Sequence, residues 1–126
     1  MQASSAQLSA DANRDLPSLL DLHHLRRQTM GDDSLMHEVL ALFRGHARDC
    51  VRQLHEAAIE RDWRMAAHTL KGTARTIGAF ELADIARQAE ILTIAAAASK
   101  RAELLAVLAA SLVRTDAEIR RLLPSD

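Results

Sequence analysis

His68, Lys71, Gly72 and Arg75 fall on one side of a segment, Trp63 to Ile77, whose apolar residues fall on another. At about 100° per residue, Trp63, Ala67, Leu70, Ala74 and Ile77 occupy one narrow arc. His68 and its neighbours occupy a different, outward arc, and Arg64 joins them one turn earlier. A histidine so placed stands in solvent among three cations, with no carboxylate on the same helix face. Neutral imidazole is nucleophilic near physiological pH. A phosphorylated imidazole needs open approach for an in-line partner. Lys71, Arg75 and Arg64 can offset charge on phosphoryl oxygens. Gly72 leaves room for a docking protein, and glycine inside a helix costs about 1 kcal/mol relative to alanine, so its place beside His68 calls for such a reason. Taken singly, each residue reads as ordinary helix surface. Gathered on one face, they point to a carrier of phosphoryl groups.

The elements that must hold this face follow from apolar spacing and capping. Residues 1–15 are polar and carry no sustained apolar stripe, which reads as a flexible lead-in or linker. Residues 16–126 then form one helical domain. Pro17 suits a first helical turn, and a short helix is expected over Ser18–Met30, with Leu19, Leu22 and Leu25 on one side and Gly31 as its stop. Asp32 or Asp33 can cap a long second helix. Its stripe reads Leu35, Val39, Leu42, Phe43, His46, Val51, Leu54 and Ala58, ending near Arg61. Asp62 can cap the helix of His68, and Gly78 ends it. A fourth helix starts near Phe80 and turns Leu82, Ile85, Ala89, Leu92 and Ala96 inward; the run Ala95–Ala98 reads as helix, with a break near Ser99 and Lys100. The last helix presents Leu104, Leu108, Leu112, Ile119 and Leu122, and Pro124 follows it. Short connections make neighbouring helices antiparallel. The expected fold is all-α: an antiparallel up-down-up-down four-helix bundle with a short additional N-terminal helix.

Composition agrees and excludes much else. With no Tyr, one Trp, two Phe and only six Gly and Pro together, the chain lacks the means for a sandwich or barrel. A net charge of −1 gives no general attraction to nucleic acid or anionic lipid. Cys50 is the only cysteine, so no internal disulfide can form. The six histidines include no His-Glu-x-x-His pair, so no metal site is expected. No phosphate-cradling glycine loop is present, so the chain is not expected to phosphorylate itself from ATP. No apolar run or leader segment suggests a membrane or export, and a cytoplasmic monomer is expected. An enzyme using His68 as general base is disfavoured, because no second catalytic group lies near it in sequence.

Ala67-His68-Thr69-Leu70-Lys71-Gly72, followed by Gly78 ten residues after the histidine, resembles the signature of histidine phosphotransfer (HPt) domains. The similarity runs from about Leu19 to Ala98, including the Gly31-Asp32 loop, Leu42-Phe43 and the Asp62-Trp63 junction. The resemblance implies a four-helix bundle whose histidine exchanges phosphoryl groups with response-regulator receiver domains, alongside a hybrid sensor kinase. It implies no cofactor of the chain's own, any Mg²⁺ belonging to the receiver. Many members carry Gln twenty-two residues after the histidine, bonded to the imidazole; here Glu90 stands there and can also accept from an N–H. Gln88 is the substitute if the register differs. The competing reading is a bundle of the same fold that binds a partner without phosphotransfer; the presence of His68 itself favours the carrier.

Overall fold

The computed structural model describes residues 18–124. The lead-in over residues 1–15 and Pro17 lie outside that range. Among the described residues there are five helices and no strand: α1 (Leu22–Gln28), α2 (Asp33–Glu56), α3 (Glu60–Thr76), α4 (Phe80–Leu92) and α5 (Ala98–Leu122). Each of α2 to α5 packs on the next, and α5 closes against α2, so the four long helices form a bundle. Its core is built from Leu40, Phe43, Leu54, Trp63, Leu70, Ile77, Leu82, Ile85, Leu108 and Ile119 with small residues between them.

The short helix α1 closes one end. It begins at Leu22 rather than Ser18, because the Asp21 carboxylate caps the backbone N–H of His24 at 3.0 Å. The residues before it lie across α5, where Glu118 accepts from the backbone N–H groups of Leu19 (3.0 Å) and Leu20 (3.1 Å) and from the Ser18 hydroxyl. Leu20 and Leu25 plug the bundle. At the other end of α1, Gly31 N–H reaches the Arg26 carbonyl at 2.9 Å and Met30 N–H the Arg27 carbonyl at 3.2 Å. This is a Schellman stop. Met30 itself takes the left-handed conformation (φ 55°), and Gly31 follows at φ 71°. Asp32 then caps α2 through Leu35 N–H at 3.1 Å.

Helix α2 buries Phe43 and Leu54 of the expected stripe, but its other buried residues lie on an adjoining arc. Met36, Leu40, Phe43, Ala47, Cys50 and Leu54 face the core, at alternating steps of four and three. Leu35, Val39 and Val51 are half-buried, while Leu42 and His46 are exposed and Ala58 is exposed beyond the helix end. Two overlapping apolar arcs run along α2, and the inner one carries small Ala47 and Cys50 where α2 meets its neighbours. Helix α3 starts at Glu60, before the expected Asp62 cap; its N-cap is Ile59, without a side-chain cap. Glu60 and Asp62 in the first turn suit the positive end of the helix dipole. Helix α4 stops at Leu92, because Thr93 adopts φ 66°. Ala95–Ala97 therefore lie in the connection to α5, not in a helix. Their high helix propensity yields to the need to cross from one helix to the next. On α5 the buried residues are Leu105, Leu108, Ser111, Thr115 and Ile119, with Leu104, Leu112 and Leu122 half-buried.

The turn between α3 and α4 is packed closely against the start of α1. Gly78 (φ 82°) takes the left-handed position of a second Schellman stop, with Ala79 N–H on the Ala74 carbonyl at 2.9 Å. Its carbonyl accepts from Asp21 N–H at 3.0 Å, and a Cβ added at Gly78 would sit 2.8 Å from the Asp21 carbonyl oxygen. Gly78→Ala therefore combines left-handed strain with a backbone collision, and should cost at least about 2 kcal/mol. Denaturant unfolding checks it; a midpoint equal to wild type would mean that α1 and the turn can part freely.

Candidate functional site

Helix α3 separates its two faces sharply. Trp63, Ala67, Leu70, Ala74 and Ile77 are all buried. One face around, the His68 side chain is 70% exposed. Arg64, Gly72 and Arg75 are exposed as well, and Lys71 is half-buried.

The carboxylate absent from this face of α3 arrives from α4. Glu90 Oε2 lies 2.7 Å from His68 Nδ1, and Glu90 Oε1 lies 2.7 Å from Lys71 Nζ. The Lys71 ammonium holds the Glu90 carboxyl below its usual range; the His68 bond acts the same way, against a partial loss of water. An ionised carboxylate only accepts, so Nδ1 must carry the proton of that bond. In the neutral ring the lone pair then belongs to Nε2, which makes no hydrogen bond among the described residues and faces solvent. Gln88 does not reach the ring; its side-chain amide donates to Asp84 at 3.0 Å. Arg87 also pairs with Asp84, leaving Glu90 to Lys71 and His68.

The three cations stand differently from one another. Lys71 is 15% exposed and tied to Glu90. Arg64 pairs with Glu60 at 3.4 Å. Arg75 is exposed and makes no ion pair among the described residues. Gly72 borders open space: nothing lies within 4 Å of where its Cβ would be. Beside it, an open groove of about 560 Å³ runs between α2 and α3. Val39, Leu42, Phe43 and His46 line it from α2, and His68, Thr69, Gly72 and Thr73 from α3. Sequence reasoning placed all four α2 residues in the core; Phe43 is buried there, whereas Val39 is half-buried and Leu42 and His46 are exposed. The available signal was surplus: α2 carries more large apolar side chains than one core face can bury. No group of three or more His, Cys, Asp or Glu side chains among the described residues could hold a metal ion.

A helical bundle presenting an exposed imidazole, with one ring nitrogen bound and the other open, has the layout of a phosphocarrier module. Residues 38–122 match the family model for the Hpt domain. That is more than half of the chain, which therefore belongs to the Hpt family of phosphotransfer domains of phosphorelays. The match begins within α2 and extends through α5, further toward the C-terminus than the resemblance read from the motif. Searches of curated proteins and of solved structures give no match.

The geometry fixes a tautomer, and nitrogen NMR can read it. Neutral His68 should be protonated at Nδ1. Glu90→Ala should shift it toward the Nε2–H form that free histidine side chains prefer; an unchanged ring pattern would deny the bond. Glu90 also links folding to pH. Its folded pKa lies below its unfolded one, so its contribution is complete above the ordinary carboxylate range and is lost as pH falls through the lowered value. Glu90→Gln should flatten that part of the acid limb of a stability–pH curve.

Proposed function

We propose that His68 carries the phosphoryl group and exchanges it with the aspartate of a response-regulator receiver domain. The observation that supports this most is the open Nε2 of an imidazole held through Nδ1 by Glu90. In the receiving direction, the Nε2 lone pair attacks the phosphorus of an aspartyl phosphate. An N–P bond forms as the P–O bond to the aspartate breaks, and the aspartate leaves as carboxylate. Return transfer reverses these steps. Throughout, Nδ1–H stays on Glu90, which orients the ring and balances positive charge gained by the phosphorylated imidazole.

Arg64, one turn before His68, and Arg75, two turns after it, flank the phosphoryl group along α3, and Lys71 can swing from Glu90 toward it. Gly72 and the adjoining groove give clearance: the receiver must bring its aspartate up to Nε2, so the two backbones approach closely here. The apolar groove takes the receiver's docking surface, and any Mg²⁺ in the transfer sits in the receiver's acidic pocket. The chain needs no cofactor and no ATP site of its own, drawing phosphate from a hybrid sensor kinase or its receiver. It works as a monomer in the cytoplasm, on neither nucleic acid nor membrane; no helix among the described residues is long and apolar enough to cross a bilayer. Residues 1–15 serve as a lead-in or linker to the domain over 16–126.

Two variants test this. His68→Gln should abolish transfer from a phosphorylated receiver while leaving the thermal melt nearly unchanged, since the side chain is 70% exposed. Retained transfer would move the site to another histidine. Gly72→Gln should slow transfer at least about tenfold, the equivalent of ~1.4 kcal/mol, and should raise stability by a few tenths to about 1 kcal/mol. Wild-type transfer by Gly72→Gln would remove the clearance argument.

A further inference from the structure

The groove beside His68 has an unusual lining for a site that handles phosphate. Its walls are Val39, Leu42, Phe43 and Ile77, with the neutral hydroxyls of Thr69, Thr73 and Thr76. No Asp, Glu, Lys or Arg lines it. The only titratable side chains in it are two histidines, His46 on α2 and His68 on α3. His68 is accounted for by Glu90. His46 is exposed and makes no hydrogen bond or ion pair among the described residues. One turn before it, Leu42 is 68% exposed, a large apolar surface left open to water.

We propose that His46 is a specificity-determining residue for receiver docking, admitting a partner with an apolar, uncharged surface and making that docking weaken as the pH falls. This rests on the phosphocarrier reading of the preceding section. A partner that fills the groove over Val39 and Leu42 must also remove water from the imidazole that lines it with them. A neutral ring can be covered at small cost. A protonated ring cannot, unless the partner supplies a carboxylate. The groove supplies none. From α3 the only titratable group lining it is His68, and on α2 the only charged side chain one turn from His46 is Asp49, already paired with Arg52 at 3.4 Å. Binding and proton release from His46 are therefore linked. The partner binds fully where the ring is neutral, and affinity falls as acid charges it. A receiver with a basic docking face gains nothing here, and one with an acidic face would show the opposite pH dependence.

The test uses the full chain carrying His68→Gln, so that neither transfer nor the titration of His68 contributes. The probe is the unphosphorylated receiver that exchanges phosphate fastest with the wild-type chain. With His46 present, affinity should fall at least about twofold between about pH 7.5 and about pH 6.0, because a charged ring is costly to cover without a partner for its charge. His46→Gln should bind within about twofold of His46 at the higher pH and should lose that fall. His46→Lys, a permanent charge at the same point, should bind at least about tenfold more weakly at both values. An equal fall in His46→Gln, a rise in affinity at low pH, or full affinity in His46→Lys would each overturn the proposal. If no receiver exchanges phosphate with the wild-type chain, the phosphocarrier reading fails. If one does and His46→Gln titrates like the parent, only the role of His46 fails.

Discussion

The register of α3 against α4 is pinned at both ends, and the arrangement around His68 depends on it. At one end the Gly78 turn leaves no slack, because its backbone lies against Asp21. At the other, the Trp63 indole N–H donates to the Ala89 carbonyl at 2.8 Å, and Glu60 accepts from Ile94 N–H at 2.7 Å. Trp63 is buried, so its N–H would be left unsatisfied in any other register, at a cost of about 1–3 kcal/mol. Glu90 is the residue next to Ala89, and the Trp63 bond brings it level with His68 and Lys71.

That constraint lets a shallow surface do the work of a pocket. His68 is exposed, as the proposed exchange with another protein's phosphate requires, yet Glu90 holds its ring through Nδ1. The strain-free way to hold an exposed ring is a bond from the less exposed side, and Glu90, 22% exposed, supplies it. Lys71 in turn keeps Glu90 ionised. The division of α2 follows a similar logic. One arc, with Ala47 and Cys50, is narrow enough for close helix contact; the adjoining arc, with Val39, Leu42 and His46, stays open along α3.

The parts of this that depend on one helix were legible in the sequence. Trp63, Ala67, Leu70, Ala74 and Ile77 define a single arc with no rival, so the outward position of His68 and Gly72 followed from periodicity. Gly31 and Gly78 marked helix ends through backbone conformation. What depends on two helices was harder. Leu42 and His46 looked like core because size and spacing cannot tell which of two overlapping arcs on α2 meets its neighbours. Asp62 looked like a cap because nothing local reveals that Ile59 and Glu60 already start the helix, or that Glu60 reaches Ile94 in the α4–α5 connection. Ala95–Ala97 looked helical because propensity carries no information about where α4 must end. Glu90 was visible through family resemblance, whereas its bond to Lys71 needed the packed register.

The central claim is that Nε2 of His68, left open by Glu90, is the atom that receives the phosphoryl group. The direct measurement is nuclear magnetic resonance of the chain after incubation with a phosphorylated receiver, with the phosphorus located by its coupling to the ring nitrogens. The account predicts a single acid-labile phosphate on Nε2 of His68, with Nδ1 still protonated. Phosphate on Nδ1, on another histidine, or on no residue at all would contradict it.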